Sequence, residues 1–214
     1  MNAPSPQPTS AGDAIPETCK VIEVHVGELK QLFNAIDPSP FNAKDLDPSA
    51  EAFIVEWGKE LPRDARLALL VHLDRPAGRP DEAAILGEAI HEFFGRRAHN
   101  TRRRLRELFH RGRISLAIAT AFLASCVAIG NLVATRLDGT GVEAIVREGL
   151  LIGGWVAMWR PFQIFLYDWW PIRAEARLFD RLAAMPVRIT YVPVAGPDAW
   201  RRDWPAEPAA ARVK

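Results

Sequence analysis

The feature that most constrains this chain is a run of 22 residues without a charge, residues 114–135, which reads ISLAIATAFLASCVAIGNLVAT. A helix of this length covers about 33 Å, and the hydrocarbon core of a bilayer is about 30 Å thick. A buried helix of a water-soluble protein normally carries a polar stripe. Because the polar side chains of this run are small or neutral, the run predicts a membrane-spanning helix.

A second apolar segment, residues 149–167, is nearly as long but contains the pair Arg160-Pro161. An alternative register, residues 142–159, includes three charged side chains instead of one. Charges inside a bilayer are costly, so the first register is favoured. The sequence therefore predicts a two-helix transmembrane hairpin with a short outer loop at residues 136–148.

Arg160 lies seven residues from Tyr167 in the sequence, which places it about 10 Å from that end of the predicted span. A long arginine side chain can reach the headgroups from that depth. Pro161 removes one helical hydrogen bond and should bend the helix at this point. Two interpretations of Arg160 stay open: a structural role, with Gln163 or Asp168 as partner, and a functional charge that lines a pore.

Eight arginines precede the first apolar run within residues 96–113, and few basic residues follow that run. The positive-inside rule places this flank, and both termini, in the cytoplasm, most simply at a bacterial inner membrane. The arginines can also attract anionic lipid headgroups. Nucleic-acid binding is disfavoured because aromatic stacking partners are sparse around the cluster. The arginines are Arg96, Arg97, Arg102, Arg103, Arg104, Arg106, Arg111 and Arg113.

Small residues recur at every fourth position in both apolar segments, a spacing that lets helix backbones approach closely in lipid. Helix packing within one chain is favoured, but packing between chains, which would make a homo-oligomer, stays open. The two stripes are Ala117, Ala121 and Ser125 in the first segment and Gly149, Gly153 and Ala157 in the second.

The rest of the chain predicts a small cytoplasmic α/β domain, so the fold class is α/β with a transmembrane hairpin and is mostly helical. Residues 21–26, 67–73 and 187–194 alternate apolar and polar side chains as strands do. Residues 48–61 follow Asp47, a good N-cap, with proline at the first helical position.

These patterns divide the chain into eight segments. The first 19 residues hold four prolines and no lysine or arginine, which is typical of a disordered leader and not of a signal peptide. The segments are the disordered leader (1–19), the α/β domain (20–95), a basic juxtamembrane helix (96–113), the first span (114–135), the outer loop (136–148), the second span (149–167), a return to the domain through an aromatic belt, a helix and a strand (168–195), and a disordered tail (196–214).

One face of the predicted sheet is polar. If the strands are neighbours, two histidines, two carboxylates and an arginine converge there, which are the ingredients of a metal or acid–base site. The simpler interpretation is a solvated sheet face, because one face of a small sheet is usually polar. We predict no metal, cofactor or catalytic residue, since no common catalytic or nucleotide-binding motif occurs. The polar residues are Glu23, His25, His72, Asp74 and Arg188.

The segments FNAIDPSPF (33–41), DLD (45–47) and EGLLIGGWVAMWRPFQIFLYDWWPI (148–172) carry a family resemblance. Together they resemble an uncharacterised family of two-pass bacterial inner-membrane proteins. The resemblance extends over most of the chain outside its two ends. It implies the hairpin topology, and it implies no activity and no functional residue.

The favoured function is that of a non-enzymatic inner-membrane protein whose cytoplasmic α/β module serves as a scaffold or accessory subunit. Its expected partners are membrane lipids and either further copies of the chain or another protein, but not nucleic acid. Two alternatives stay open. The chain could be a subunit of a small oligomeric channel or transport component, or a membrane-tethered enzyme that uses the polar sheet face.

Overall fold

A computed structural model gives the fold and describes residues 10–34, 44–75, 81–136 and 141–191. The first nine residues, part of the predicted outer loop and the predicted tail lie outside the described residues. In chain order the elements are β1 (Ser10–Gly12), β2 (Lys20–Val26), a 3-10 helix (Leu29–Leu32), α1 (Pro48–Glu60), β3 (Leu67–Leu73), α2 (Glu82–Arg136), α3 (Val142–Gln163), a π-helical segment (Ile164–Asp168), α4 (Trp169–Ala183) and β4 (Val187–Tyr191).

The chain divides into two compact units. We call them the α/β unit, which comprises Met1–Ile90 and Met185–Lys214, and the helical unit, His91–Ala184. The boundary between them falls within α2.

The α/β unit is built on a four-stranded sheet in the order β1-β4-β3-β2. Strands β2, β3 and β4 are parallel, and β1 pairs antiparallel with β4. Ile22 lies opposite Leu69, which lies opposite Val187, and all three side chains are buried. Because side chains alternate between the faces of a strand, this row and its neighbours form the apolar core of the unit.

The predicted strands are found in the structure. Residues 21–26 and 67–73 lie within β2 and β3, and the third predicted strand begins at Val187 as expected. Strand β1 was not predicted, and it lies in the segment that was predicted to be a disordered leader. A Cβ atom on Gly12 would lie 2.6 Å from the carbonyl oxygen of Val187, and its φ of +109° favours glycine. Glycine therefore allows β1 to end close against β4.

Helix α1 begins as predicted. The Asp47 carboxylate accepts a hydrogen bond from the backbone N–H of Ser49 at 2.9 Å, and Pro48 occupies the first turn. Its buried residues are Ile54 and Gly58. Phe53 and Trp57, which an amphipathic pattern groups with Ile54, are 41% and 46% exposed.

Glu82, which is buried, and Tyr191, which is half-buried, form a pair at the end of the core. The Tyr191 hydroxyl donates a hydrogen bond to Glu82 Oε2 at 3.1 Å, and Glu82 is buried. Burial first, and then the charge and hydrogen bond of Glu82, raise the pKa of the Tyr191 hydroxyl. The folded chain therefore holds this proton more tightly than the unfolded chain does.

This pair makes the stability of the α/β unit sensitive to alkaline pH. Since the pKa is raised on folding, the stabilisation is complete below the unfolded tyrosine pKa of about 10 and is lost as pH rises through the folded value. We expect Tyr191→Phe to lose about 1 kcal/mol at neutral pH and to remove that alkaline loss. Chemical unfolding followed from neutral to alkaline pH measures both effects. An unchanged alkaline slope in the variant would contradict the assignment.

The helical unit pairs α2 with α3 in antiparallel orientation. A Cβ on Gly112 would lie 2.8 Å from Ile164 Cγ2, and a Cβ on Gly130 would lie 3.3 Å from Arg147 Cγ. Between these points, a Cβ on Gly154 would lie 2.6 Å from Leu123 Cδ1. Rising residue numbers on α2 therefore meet falling numbers on α3, and glycines mark the closest approaches.

The prediction of a two-helix transmembrane hairpin is wrong. Among the described residues only α2, which contains residues 114–135, is long and apolar enough to cross a membrane. Helix α3 fails because four charged residues are spread along it, so that every stretch of about 18 residues contains at least three of them. The α-helix also ends at Gln163, so residues 149–167 are not one regular helix. The charges of α3 are Glu143, Arg147, Glu148 and Arg160.

Pro161 lies inside α3 and does not end it. The backbone N–H of Ile164 contacts the carbonyl oxygens of both Arg160 and Pro161, and the π-helical segment begins there. Proline supplies no N–H to the helical ladder, and a widened turn is one way in which a helix accommodates such a break. The helix is therefore not interrupted at Arg160-Pro161 itself, but it changes from α-helix to π-helix at Ile164, three residues after Pro161.

Candidate functional site

The surface of the helical unit is strongly apolar. Of the 20 large apolar side chains exposed in the described part of the chain, 17 lie between Ile114 and Trp170. Only 17% of the most apolar stretch of α2 is buried. Water-soluble chains rarely expose a continuous apolar surface of this extent. This surface therefore requires a cover of lipid or of another protein.

Charged residues mark both ends of this surface, and an aromatic residue lies near one of them. Near one end Gly112 contacts Ile164. Arg111 and Arg113 flank Gly112 in the chain, and the exposed Tyr167 follows Ile164 by three residues. At the other end Gly130 contacts Arg147. The two contacts are 18 residues apart on α2, which corresponds to about 27 Å. We call the surface between them the apolar band, and its height matches the roughly 30 Å of bilayer hydrocarbon.

Arg160 lies within the apolar band, one helical turn from Ile164. Its guanidinium donates a hydrogen bond to Gln163 Oε1 at 3.4 Å and lies 3.9 Å from the Asp168 carboxylate. Both partners named from the sequence are therefore beside it. The Arg160 side chain is 67% exposed, so the pair adds little stability in water and more where lipid excludes water.

The eight arginines within residues 96–113 of α2 fall into two sets. In the first set, Arg96 pairs with Glu92 at 2.9 Å and Arg103 with Glu107 at 3.3 Å, each one helical turn apart. Arg102 bridges to Asp180 of α4 at 2.6 Å, and Arg97 lies 5.4 Å from the Phe93 ring. The bridge to Asp180 joins residues 78 positions apart, so no local pattern could have predicted it.

In the second set, no ion pair or hydrogen bond to another described residue is found for Arg104, Arg106, Arg111 or Arg113. These four side chains are exposed on α2. Their charge is thus available to solvent, to lipid headgroups or to a partner. The structure thus separates arginines that have a partner in the helical unit from arginines that have none among the described residues.

The predicted small-residue stripes do not form the seam between α2 and α3. A Cβ on Gly149 or Gly153 would meet nothing within 4 Å. Ala117, Ala121 and Ser125 are exposed, and the Ser125 hydroxyl donates to the Ala121 carbonyl at 2.9 Å. Ala157 is half-buried.

The seam instead follows a seven-residue spacing. Gly112, Ala119 and Cys126 are buried on α2, and Gly154 and Pro161 are buried on α3. Seven-residue repeats are the usual signature of two helices that pack along their length. This repeat was present in the sequence, but the more frequent four-residue spacing of small side chains hid it.

The structure brings some residues of the polar sheet face together. His25 and His72 are paired across β2 and β3, and their rings stack with centroids 4.1 Å apart. Glu23 Oε2 lies 3.6 Å from His72 Nε2, too far for a hydrogen bond but within reach of an ion pair when the imidazole is protonated.

The other two members of that cluster lie further out. Arg188 is opposite Leu70, one row away from His72 on the same face. Asp74 follows the end of β3, next to Gly27 of the neighbouring chain segment. Within the described ranges no group of three or more His, Cys, Asp or Glu side chains is arranged to hold a metal ion. The face therefore offers one imidazole–carboxylate pair and a separate arginine.

The residues that can carry a function thus form three groups: the apolar band, the unpaired arginines of α2 and the His72–Glu23 pair. Each group is defined by geometry within one unit. Function must be inferred from these residues alone, because comparison of the chain with protein-family models, with curated proteins and with solved structures found no match.

Proposed function

We propose that this chain is a non-enzymatic integral membrane protein, anchored through residues 114–135 of α2, that presents its α/β unit as a scaffold or accessory subunit. The observation that carries the proposal is the exposed apolar run of α2, because only 17% of its most apolar stretch is buried. Burial of such side chains in lipid contributes roughly 25 cal/mol per Å² of apolar surface. A bilayer provides that burial without any further protein.

The proposed location is a bacterial inner membrane, with the α/β unit in the cytoplasm. The arginine-rich stretch of α2 directly precedes the apolar run, which the positive-inside rule assigns to the cytoplasm.

We further propose that the protein is oligomeric. Gly149 and Gly153 on α3, and Ala117 and Ala121 on α2, are exposed in a single chain. In lipid, helices associate chiefly through close packing of such small residues. Stripes that the intrachain seam leaves open are available to further copies of the chain.

Membrane retention tests the proposed anchor. We expect the wild-type protein to stay in the membrane fraction after alkaline carbonate washing. The double variant Phe122→Asp/Ile129→Asp should be released in large part, because an aspartate in mid-span costs about 3 kcal/mol. Immunoblots of washed membranes and supernatants measure the distribution.

A matched control is available on α1. Phe53 and Trp57 are exposed to a similar degree but lie outside the apolar run. Phe53→Asp/Trp57→Asp should therefore leave retention unchanged. Release of the wild-type protein by carbonate, or equal release of both variants, would rule the anchor out.

A further inference from the structure

The exposed side of α2 carries a shallow groove of about 560 Å³ in the arginine-rich stretch. His99, Arg103, Arg106 and His110 follow one another at helical spacing and line its length, and Glu107 and Arg111 line one side. The groove lies opposite the buried face of the helix, on which Ala98, Thr101 and Gly112 are found. It is therefore open to whatever surrounds the helical unit.

The charges in the groove are unevenly compensated. Its only carboxylate, Glu107, is engaged by Arg103 at 3.3 Å. For Arg106, His110 and Arg111 no ion pair or hydrogen bond within the described part of the chain is found. One end of the groove is thus neutralised, and the end nearer to the apolar run keeps two unpaired guanidinium groups beside an imidazole.

The position of that end matches the headgroup layer of a bilayer. Arg111, His110 and Arg106 precede Ile114 by three, four and eight residues. At about 1.5 Å per residue they stand roughly 5, 6 and 12 Å outside the apolar run. The headgroup region extends about 5 to 8 Å beyond the hydrocarbon on each side. Long arginine side chains cover the remaining distance.

Resting on the proposed membrane anchor, we propose that Arg106, His110 and Arg111 bind the phosphate of an anionic phospholipid headgroup in the adjoining leaflet. Guanidinium groups present paired N–H donors that match phosphate oxygens, and such charge-assisted bonds are strong. The imidazole of His110 supplies a further N–H donor between them. The groove thereby selects anionic over zwitterionic lipid and does more than set the orientation of the chain.

Lipid binding to the full-length protein in detergent tests this site. Phosphatidylglycerol and phosphatidylcholine are titrated separately, and bound lipid is counted by native mass spectrometry. We expect wild type to prefer phosphatidylglycerol. Arg106→Gln/Arg111→Gln should weaken phosphatidylglycerol binding by about tenfold or more, because the loss of each basic residue near a membrane surface weakens the attraction to anionic lipid severalfold. The same variant should leave phosphatidylcholine binding unchanged.

The matched control is Arg104→Gln/Arg113→Gln. It removes two unpaired charges from the same stretch, but neither residue lines the groove. We expect a clearly smaller loss of phosphatidylglycerol binding in this variant. Equal losses in the two double variants would overturn the site and leave only diffuse attraction.

Two further measurements distinguish other phosphate sources. Inorganic phosphate that binds as tightly as phosphatidylglycerol would overturn a lipid ligand in favour of a soluble one. If Arg106→Gln/Arg111→Gln weakened the binding of a single-stranded RNA but not that of phosphatidylglycerol, the lipid ligand would be overturned in favour of nucleic acid. Carbonate washing of the wild type and of both double variants distinguishes the headgroup site from the membrane anchor. If Arg106→Gln/Arg111→Gln and Arg104→Gln/Arg113→Gln are both retained and lose lipid preference equally, only the site is refuted. If the wild type is released, the anchor is refuted.

Discussion

An aspartate in place of Ile189 abolishes folding of the α/β unit. Ile189 is completely buried in β4, between Val71 of β3 and Ala11 of β1. An unpaired carboxylate at this position costs several kcal/mol, and the lost apolar side chain adds to that cost. Since small domains are stable by only about 5–15 kcal/mol, the unit should unfold or aggregate. Limited proteolysis and hydrogen exchange of the β2 and β3 amides measure the loss.

The next residue provides the control for this prediction. Thr190 lies on the opposite face of the same strand, half-buried and opposite His72. Thr190→Asp places the same charge on the polar face, so we expect protection of the β2 and β3 amides close to that of wild type. Similar unfolding of both variants would mean that the two faces of β4 are wrongly assigned.

Strands β2 and β3 and helix α1 could be read from the sequence because their signals are local. Alternation of apolar and polar residues defines a strand from its own side chains. Asp47 and Pro48 mark the start of α1 for the same reason, as the hydrogen bond from the Ser49 N–H shows. Such patterns need no knowledge of the partner element.

Strand β1 and the helical seam could not be read in that way. Three residues, Ser10–Gly12, are too few for an alternation, and their partners in β4 lie 176 to 180 residues away in the chain. In the helical unit a shift of one residue, from Gly153 to Gly154, turns the packed face by about 100°. Small-residue spacing alone does not decide between two such neighbouring stripes.

The second span fails for a physical reason that the sequence contains. Counting one interior charge favoured residues 149–167, but that choice placed the start of the helix at Gly149 and its end at Tyr167. The structure changes to a π-helix at Ile164, and the regular helix begins already at Val142. The helix that forms therefore includes the charged residues that the favoured register left out.

The polar sheet face could also be predicted only in part from the sequence. Alternation placed Glu23, His25 and His72 on one face, and the parallel register of β2 and β3 brings them together. The stacking of the two imidazoles and the separate position of Asp74 depend on that register and on the ends of the strands. No single strand encodes either of them.

Leucine in place of Gly154 should separate α2 from α3. The Cβ alone would lie 2.6 Å from Leu123 Cδ1 and 3.3 Å from Leu123 Cα. Rotation of the Leu123 side chain relieves the first contact but not the second, which involves the backbone. Overpacking of this kind costs about 1–3 kcal/mol, and a full leucine side chain in a helix seam belongs at the upper end. Thermal unfolding in detergent, followed by near-ultraviolet circular dichroism of the tryptophans, measures the change.

Leucine in place of Gly153 separates packing within a chain from packing between chains. A Cβ at Gly153 meets nothing within 4 Å, so the same side chain should leave the α2–α3 pair intact. It gains up to about 1 kcal/mol in helix propensity. If the exposed stripe of small residues joins copies of the chain, Gly153→Leu should instead reduce the oligomer seen by crosslinking in membranes, because close backbone approach is lost. Lowered thermal stability of a monomeric Gly153→Leu variant would place this residue in the intrachain seam and contradict the arrangement of α3.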